Sequence, residues 1–293
     1  MRILIAATSN VAIPSIIALK QSKHKVVLAT QPDKPTGRGL KMLPSPVSAE
    51  FPETIRIDNE EQLQDLLVGI DLLITIGFGR ILSTKTLSIP KYGGINLHFS
   101  LLPKWRGAAP VQRAIEFGDP ETGVTVFQMD AGMDTGPIWV QKNCRIKDES
   151  LASEVFEQLS LIGSDALLAA IDMIEVGKSP LPQIGKSSVA AKIDKTEAVI
   201  DWSLNAETIV RKIKAFSVSP ICRGLFRGQI VKILDAALSN ESLEIGQLNE
   251  SGEVGCGSGS IKLLSVLPAG KKEMSAKAWI NGLNLKVGEK FEF

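Results

Sequence analysis

Histidine and cysteine are among the scarce residues of this chain, with two of the first and three of the second among 293. Cys144, Cys222 and Cys256 stand far apart without a Cys-x-x-Cys, and His24 and His98 are not at metal-ligand spacing. These spacings argue against a disulfide framework and against a zinc site, and no metal is expected. Charge of one sign is also lacking. Lys plus Arg number 33 against 32 Asp plus Glu, so whole-molecule electrostatics selects no nucleic acid, and any such site has to be a local patch. The longest uncharged stretch, residues 3–19, is broken by Thr8, Ser9, Asn10, Pro14 and Ser15 and is not the continuous apolar run of ~18 residues that a membrane span needs. Met1-Arg2-Ile3-Leu4-Ile5 reads as a first strand rather than as a secretory leader, so a cytoplasmic protein with no membrane partner is expected. The dinucleotide signature Gly-x-Gly-x-x-Gly is missing after that strand, which runs on as Ala6-Ala7-Thr8-Ser9-Asn10-Val11, and no P-loop occurs.

What is present is the material for an ordinary core, 44% hydrophobic and 22% charged, in a chain long enough for one large domain or two smaller ones. Apolar runs at 2–7, 26–30, 70–76 and 95–99 alternate with helix candidates at 11–21, 60–68 and 108–117. Asn10 is a candidate N-cap for the first helix, and Pro14 falls in its first turn. Strand–helix alternation predicts a parallel α/β sheet of doubly wound, Rossmann-like type. The segments 123–129 and 136–146 then predict an antiparallel addition, followed by a long helix over 149–176 that Gly177 ends. The predicted organisation is an N-terminal domain over 1–177, a linker over 178–197 and a smaller domain over 198–293. The last opens on a helix capped by Asn205 and continues as strands at 224–226, 230–237, 242–248, 252–256 and 260–267. That spacing predicts a small C-terminal β-barrel.

The densest chemistry lies in Gly94-Ile95-Asn96-Leu97-His98-Phe99-Ser100-Leu101-Leu102-Pro103-Lys104-Trp105-Arg106-Gly107. With a side-chain period of two, Asn96, His98 and Ser100 share one strand face and Ile95, Leu97 and Phe99 the other. A strand that ends in such a loop delivers its polar face to the edge of the sheet, where α/β enzymes place their sites. On its own Asn-x-His is also compatible with a structural histidine.

The run resembles the Asn-x-His-x-Ser-Leu-Leu-Pro…Arg-Gly signature of the formyltransferases that use 10-formyl-tetrahydrofolate. Its extension through Ala108-Ala109-Pro110-Val111-Gln112-Arg113 is similar to the branch that acts on methionyl-tRNA. A second stretch, Gly123 to Pro137, resembles the same family's second signature. The resemblance implies catalysis by Asn96 and His98 as oxyanion ligands with Asp134, the Asp before Thr-Gly, as acid/base. The reaction would move a formyl group from 10-formyl-tetrahydrofolate to the amine of initiator methionyl-tRNA. Folate would be bound by Phe78, Gly79, Ser100, Leu101, Leu102 and Pro103, with Leu102-Pro103 a candidate cis peptide. Without the resemblance, Asp130 and Asp134 read equally as turn residues.

The long Pro/Gly-rich loop 31–47 resembles an insertion that this branch sets against the acceptor end of tRNA, with Lys34, Arg38 and Lys41 as contacts. Lys192, Lys271 and Lys272 are further tRNA contacts by resemblance, and Arg211 is a candidate contact in a basic patch with Lys212, Lys214, Arg223, Arg227 and Lys232. The family likeness also implies that the small barrel is OB-like and that the protein acts as a monomer. Departures are Phe78 and Arg80 where relatives have Tyr-Gly after an apolar strand, Pro137 in place of an acid, and Ser217-Val218-Ser219-Pro220 in place of Asn-Pro-x-Pro. Three other readings use the same signatures: a sugar-nucleotide formyltransferase, a folate hydrolase or dehydrogenase module, and a tRNA-binding protein without catalysis.

Overall fold

The computed structural model describes residues 1–36 and 41–292. They fall into two compact units, one formed by residues 1–110, 121–145 and 156–190, the other by 111–120, 146–155 and those from 191 onward.

The first unit holds β1 (Arg2–Ala7), β2 (Lys25–Thr30), β3 (Lys34–Thr36), β4 (Lys41–Leu43), β5 (Ile55–Arg56), β6 (Leu72–Ile76), β7 (Gly94–His98), β8 (Arg106–Gly107), β9 (Glu121–Gln128), β10 (Ile138–Arg145) and β11 (Val189–Ala190). Seven of them form one sheet in the order β10-β9-β7-β6-β1-β2-β5. Strands β5, β2, β1, β6 and β7 run parallel, and β9 and β10 are added antiparallel. β6 is buried at every position, as a strand covered on both faces must be, and this explains its unbroken Leu-Leu-Ile-Thr-Ile run. One core cluster joins Leu4, Ala6, Ala29, Leu63, Leu67, Leu73 and Phe78. The fold is thus the expected α/β, Rossmann-like one.

Of the helices α1 (Ile13–Lys20), α2 (Pro46–Glu50), α3 (Glu60–Leu67), α4 (Thr84–Leu87), α5 (Pro110–Glu116) and α6 (Ala152–Glu175), α1, α3, α5 and α6 fall on the stretches expected to be helical, and α2 and α4 lie where no helix was expected. Asn10 does not cap α1. It opens a short 3-10 turn, Asn10–Ala12, and Ala12 occupies the cap without a side-chain bond. Residues expected as linker are partly ordered within the first unit. β11 pairs parallel with β8, and Leu181 bridges Ile138.

In the second unit α7 (Ala206–Ala215) is capped as expected, the Asn205 side chain accepting the Thr208 N–H. Strands β12 (Arg223–Phe226), β13 (Gln229–Ser239), β14 (Glu253–Gly255), β15 (Ser260–Pro268), β16 (Met274–Ser275) and β17 (Phe291–Glu292), with helix α8 (Ala276–Asn281), make a curled antiparallel sheet in the order β14-β15-β13-β12-β17. Register shifts around Asp235 bend β13, as bulges do. Trp202, Phe226, Trp279 and Phe291 pack their rings in its core, with Trp202 and Phe291 centroids 4.7 Å apart. The strand expected at 242–248 is not a strand; it makes isolated bridges from Ile245, Gln247 and Leu248.

Candidate active site

The site is built at the carboxyl end of β7. Register places Thr75 of β6 beside Asn96, and Phe127 and Thr125 of β9 beside Asn96 and His98. The Thr75 hydroxyl donates to Asn96 Oδ1 at 2.8 Å, and Met129 Sδ at 3.3 Å is a weaker competitor for that single proton. This bond orients the carboxamide. With Oδ1 engaged, Nδ2 keeps both its protons free of hydrogen bonds among the described residues.

His98 is only 6% exposed. Its Nε2 lies 2.9 Å from the Trp105 carbonyl, which can only accept, so Nε2 carries the proton and Nδ1 presents a lone pair in the neutral ring. Asp134 Oδ2 is 3.7 Å from that Nδ1. Burial pushes the imidazole pKa below its ordinary 6.5, against the opposing pull of Asp134 and the Trp105 carbonyl. The resting ring is therefore neutral near pH 7, with a carboxylate beside the atom that would gain a proton.

The two aspartates of the following loop separate cleanly. Asp130 is a turn residue, its Oδ1 accepting from Gly132 N at 3.0 Å and Thr135 Oγ1 at 2.7 Å. Asp134 instead adopts a left-handed backbone, φ 56°, and turns its carboxylate inward, where Oδ2 accepts the Gly107 N–H at 2.7 Å. The loop closes tightly enough that a Cβ on Gly136 would lie 1.7 Å from the Gln128 carbonyl oxygen. On the opposite side of the carboxylate, a Cβ on Gly107 would lie 2.7 Å from the Ala190 carbonyl oxygen. The segment 188–190 supports this wall from a distance in sequence. The Ser188 hydroxyl accepts from Trp105 N at 2.9 Å, and its carbonyl accepts from Arg106 N at 2.9 Å.

The expected folate wall lies on the same sheet edge, after β6 and β7. Phe78 is buried, its carbonyl accepts from the Gln31 amide, and Gly79 has a positive φ of 72°. Arg80 donates to the Asp58 backbone carbonyl at 2.8 Å. Ser100, Leu101, Leu102 and Pro103 form a tight loop with a cis Leu102–Pro103 peptide. The buried Thr125 hydroxyl anchors it, donating to the Ser100 carbonyl at 2.6 Å and accepting from Leu102 N at 3.2 Å.

Of the residues expected to meet tRNA, Lys34 donates to Gln31 Oε1 at 2.8 Å, at the foot of the β3–β4 hairpin. Arg38 and the Lys41 side chain lie outside the described residues. Lys192, Lys271 and Lys272 are exposed in the second unit, and Arg211 on α7 is half-buried, 3.9 Å from Glu207. Lys214 and Arg227 leave the basic patch. Lys214 is buried and donates to the Glu149 carbonyl at 2.9 Å, and Arg227 is paired with Glu289 at 2.6 Å while also donating to the Leu283 carbonyl. Sequence reasoning missed Thr75 and the 183–190 segment, and it held Gly107 only as part of the Arg-Gly signature, without its bond to Asp134. Thr75 becomes visible only with the β6–β7 register, and the segment carries no periodicity that would mark it.

Comparison with known proteins agrees with this architecture. Residues 1–171 match the family described as formyl transferase, and residues 192–284 match its C-terminal domain. A methionyl-tRNA formyltransferase of Coxiella burnetii is 38% identical over 299 aligned positions, covering 96% of this chain and 95% of that one. Among solved structures, a methionyl-tRNA formyltransferase from Clostridium thermocellum superposes with a TM-score of 0.61 at 19% identity, covering 83% of this chain and 95% of that chain. HypX from Aquifex aeolicus, in complex with tetrahydrofolic acid, superposes with a TM-score of 0.73 at 16% identity over 99% of this chain, which spans 48% of that protein's length. By these matches along both of its halves, the chain belongs to the formyl transferase family and groups with the methionyl-tRNA formyltransferases.

Proposed function

We propose that this protein transfers the formyl group of 10-formyl-tetrahydrofolate to the α-amino group of methionine carried on initiator tRNA, giving the formylmethionyl-tRNA that starts translation. The observation that carries the chemistry is the convergence of an Asn96 carboxamide whose Nδ2 has no hydrogen-bond partner among the described residues, a neutral His98 with its Nδ1 free to accept, and an inward-turned Asp134. The formyl donor is a co-substrate that brings an acyl carbon bonded to a nitrogen leaving group. Attack by the methionyl amine forms a new C–N bond and places negative charge on the formyl oxygen. Asn96 Nδ2 supplies a donor for that oxygen. His98 Nδ1 takes the proton that the attacking nitrogen sheds, and Asp134 stabilises the imidazolium so formed. The same proton then goes to the leaving nitrogen as its C–N bond breaks, returning His98 to the neutral ring.

Phe78, Gly79, Ser100, Leu101, Leu102 and Pro103 line the donor side. Residues 1–177 carry the transfer chemistry and residues 198–293 hold the tRNA, with 178–197 between them. Lys34, Arg38, Lys41, Lys192, Arg211, Lys271 and Lys272 meet phosphates, and a monomer working in the cytoplasm suffices for the reaction. The test is formyl transfer from 10-formyl-tetrahydrofolate to methionyl-tRNA, with free methionine and an aminosugar nucleotide as parallel acceptors. Transfer to the charged tRNA alone supports the reading. Transfer to the sugar alone overturns the acceptor and every tRNA contact, while leaving the formyl chemistry in place. The KM for tRNA is expected to rise with salt while that for folate stays level, because phosphate contacts release counterions.

A further inference from the structure

We infer that Gln183 is a positioning residue that clamps the Asp134 loop in its active geometry and ties it to Arg106. The inference rests on the reading above that Asp134 acts on His98. Gln183 lies 49 residues beyond Asp134, yet its carboxamide uses its full bonding capacity here. Nε2 donates to the Asp134 carbonyl and to the Gly136 carbonyl, both at 2.8 Å. Oε1 accepts from Arg106 Nη2 at 2.6 Å and from Nε at 3.3 Å. Two donors and two lone pairs are thereby satisfied by one side chain.

The bonds fall where the loop is under most constraint. Asp134 has a left-handed backbone without being glycine, a conformation that costs free energy and persists only where the surroundings hold it. Gly136 has no room for a Cβ against Gln128. Gripping the carbonyls of residues 134 and 136 fixes the peptides on each side of this turn. The Asp134 carboxylate can then reach Gly107 N and stay within 3.7 Å of His98 Nδ1. The other arm holds Arg106, whose neighbour Gly107 donates that bond to Asp134. Both walls of the carboxylate pocket therefore hang on one amide. The Gln183→Glu substitution would keep the Arg106 pairing but set a carboxylate against two carbonyl oxygens.

The experiment compares Gln183→Glu and Gln183→Met with Asp134→Asn, in the formyl-transfer assay with methionyl-tRNA. Both Gln183 variants should lower kcat by about 10²-fold, the scale of a misplaced catalytic group, with KM for tRNA and folate unchanged. The acidic limb of the pH profile for kcat/KM should also move to lower pH. Asp134 is the charged side chain facing His98, and its retreat removes the pull that favours the imidazolium. A merely structural role would lower the amount of active enzyme without moving that limb, since limb position does not depend on the folded fraction. Wild-type kcat and limb position in Gln183→Glu, while Asp134→Asn is crippled, overturn the inference and leave the catalytic reading standing. A loss expressed only in KM, or a loss of folded enzyme with an unmoved limb, overturns it as well. Full activity in Asp134→Asn overturns the catalytic reading itself.

Discussion

Replacing Thr75 by Val tests the claim that a hydroxyl on the neighbouring strand orients the oxyanion donor. The substitution keeps volume and β-branching and removes a hydroxyl from a residue that is 4% exposed. The bond it breaks, 2.8 Å to Asn96 Oδ1, joins neutral partners and is worth about 1 kcal/mol net. That energy is what disfavours the flipped carboxamide, which would point Oδ1 instead of Nδ2 at the developing oxyanion. Losing it lets the two orientations approach equal population, so the share of correctly oriented enzyme drops from about five in six to about one half and kcat should fall about twofold. KM should hold, because the donor is used in the transition state rather than in ground-state binding. Asn96→Ala removes the donor outright and should cost about 10²- to 10³-fold. The double variant should then match Asn96→Ala, since Thr75 has nothing left to orient. Single-turnover formyl transfer on the four proteins provides the measurement. Wild-type kcat in Thr75→Val, or a double variant whose loss is the product of the two single losses, would refute the reasoning.

Three further outcomes follow from the same structure. Both histidines are held below the ordinary 6.5, His98 by burial against Asp134 and His24 by burial and the N-terminal ammonium. The unfolded chain therefore binds protons that the folded chain resists, so this part of the stability is present above pH 6.5 and lost as pH falls below it. A urea midpoint that does not fall between about pH 7 and about pH 5.5 would contradict that sign. Gly136→Ala meets the Gln128 carbonyl at 1.7 Å and should cost more than about 3 kcal/mol or displace the Asp134 loop, which thermal melts and activity together would register. Lys214→Ala leaves the Glu149 carbonyl and Asp235 without their buried cation and should destabilise by about 1–3 kcal/mol, whereas Lys271→Ala, at an exposed site, should leave the melting temperature unchanged.

The candidate site was legible in the chain to different depths. Asn96 and His98 share a strand face because the period of a strand is two, and that follows from local geometry alone. The buried character of β6 is written in five consecutive residues without polar alternation, as a strand covered on both faces requires. The basic residues expected to face tRNA were harder to read. Lys214 and Arg227 look like members of a basic run, and only folding shows one buried against Glu149 and Asp235 and the other paired with Glu289. A charge in a sequence has no address until its partner, 21 residues away for Lys214 and 62 for Arg227, has been brought to it.

Sequence by itself therefore determined what short-range physics controls: strand periodicity, the alternation of strand and helix, the capping of α7 by Asn205, and the linear order of the Asn-x-His and Asp-Thr-Gly strings. Tertiary structure gave Asp130 and Asp134 different surroundings, because one accepts from its own turn at Gly132 and the other from the distant Gly107 N–H. It also set Thr75 against Asn96, since register between two strands is absent from either strand alone. Gln183 it drew from an apparent linker to the loop of Asp134, because hydrogen bonds between segments 49 residues apart exist only once the chain has closed around them.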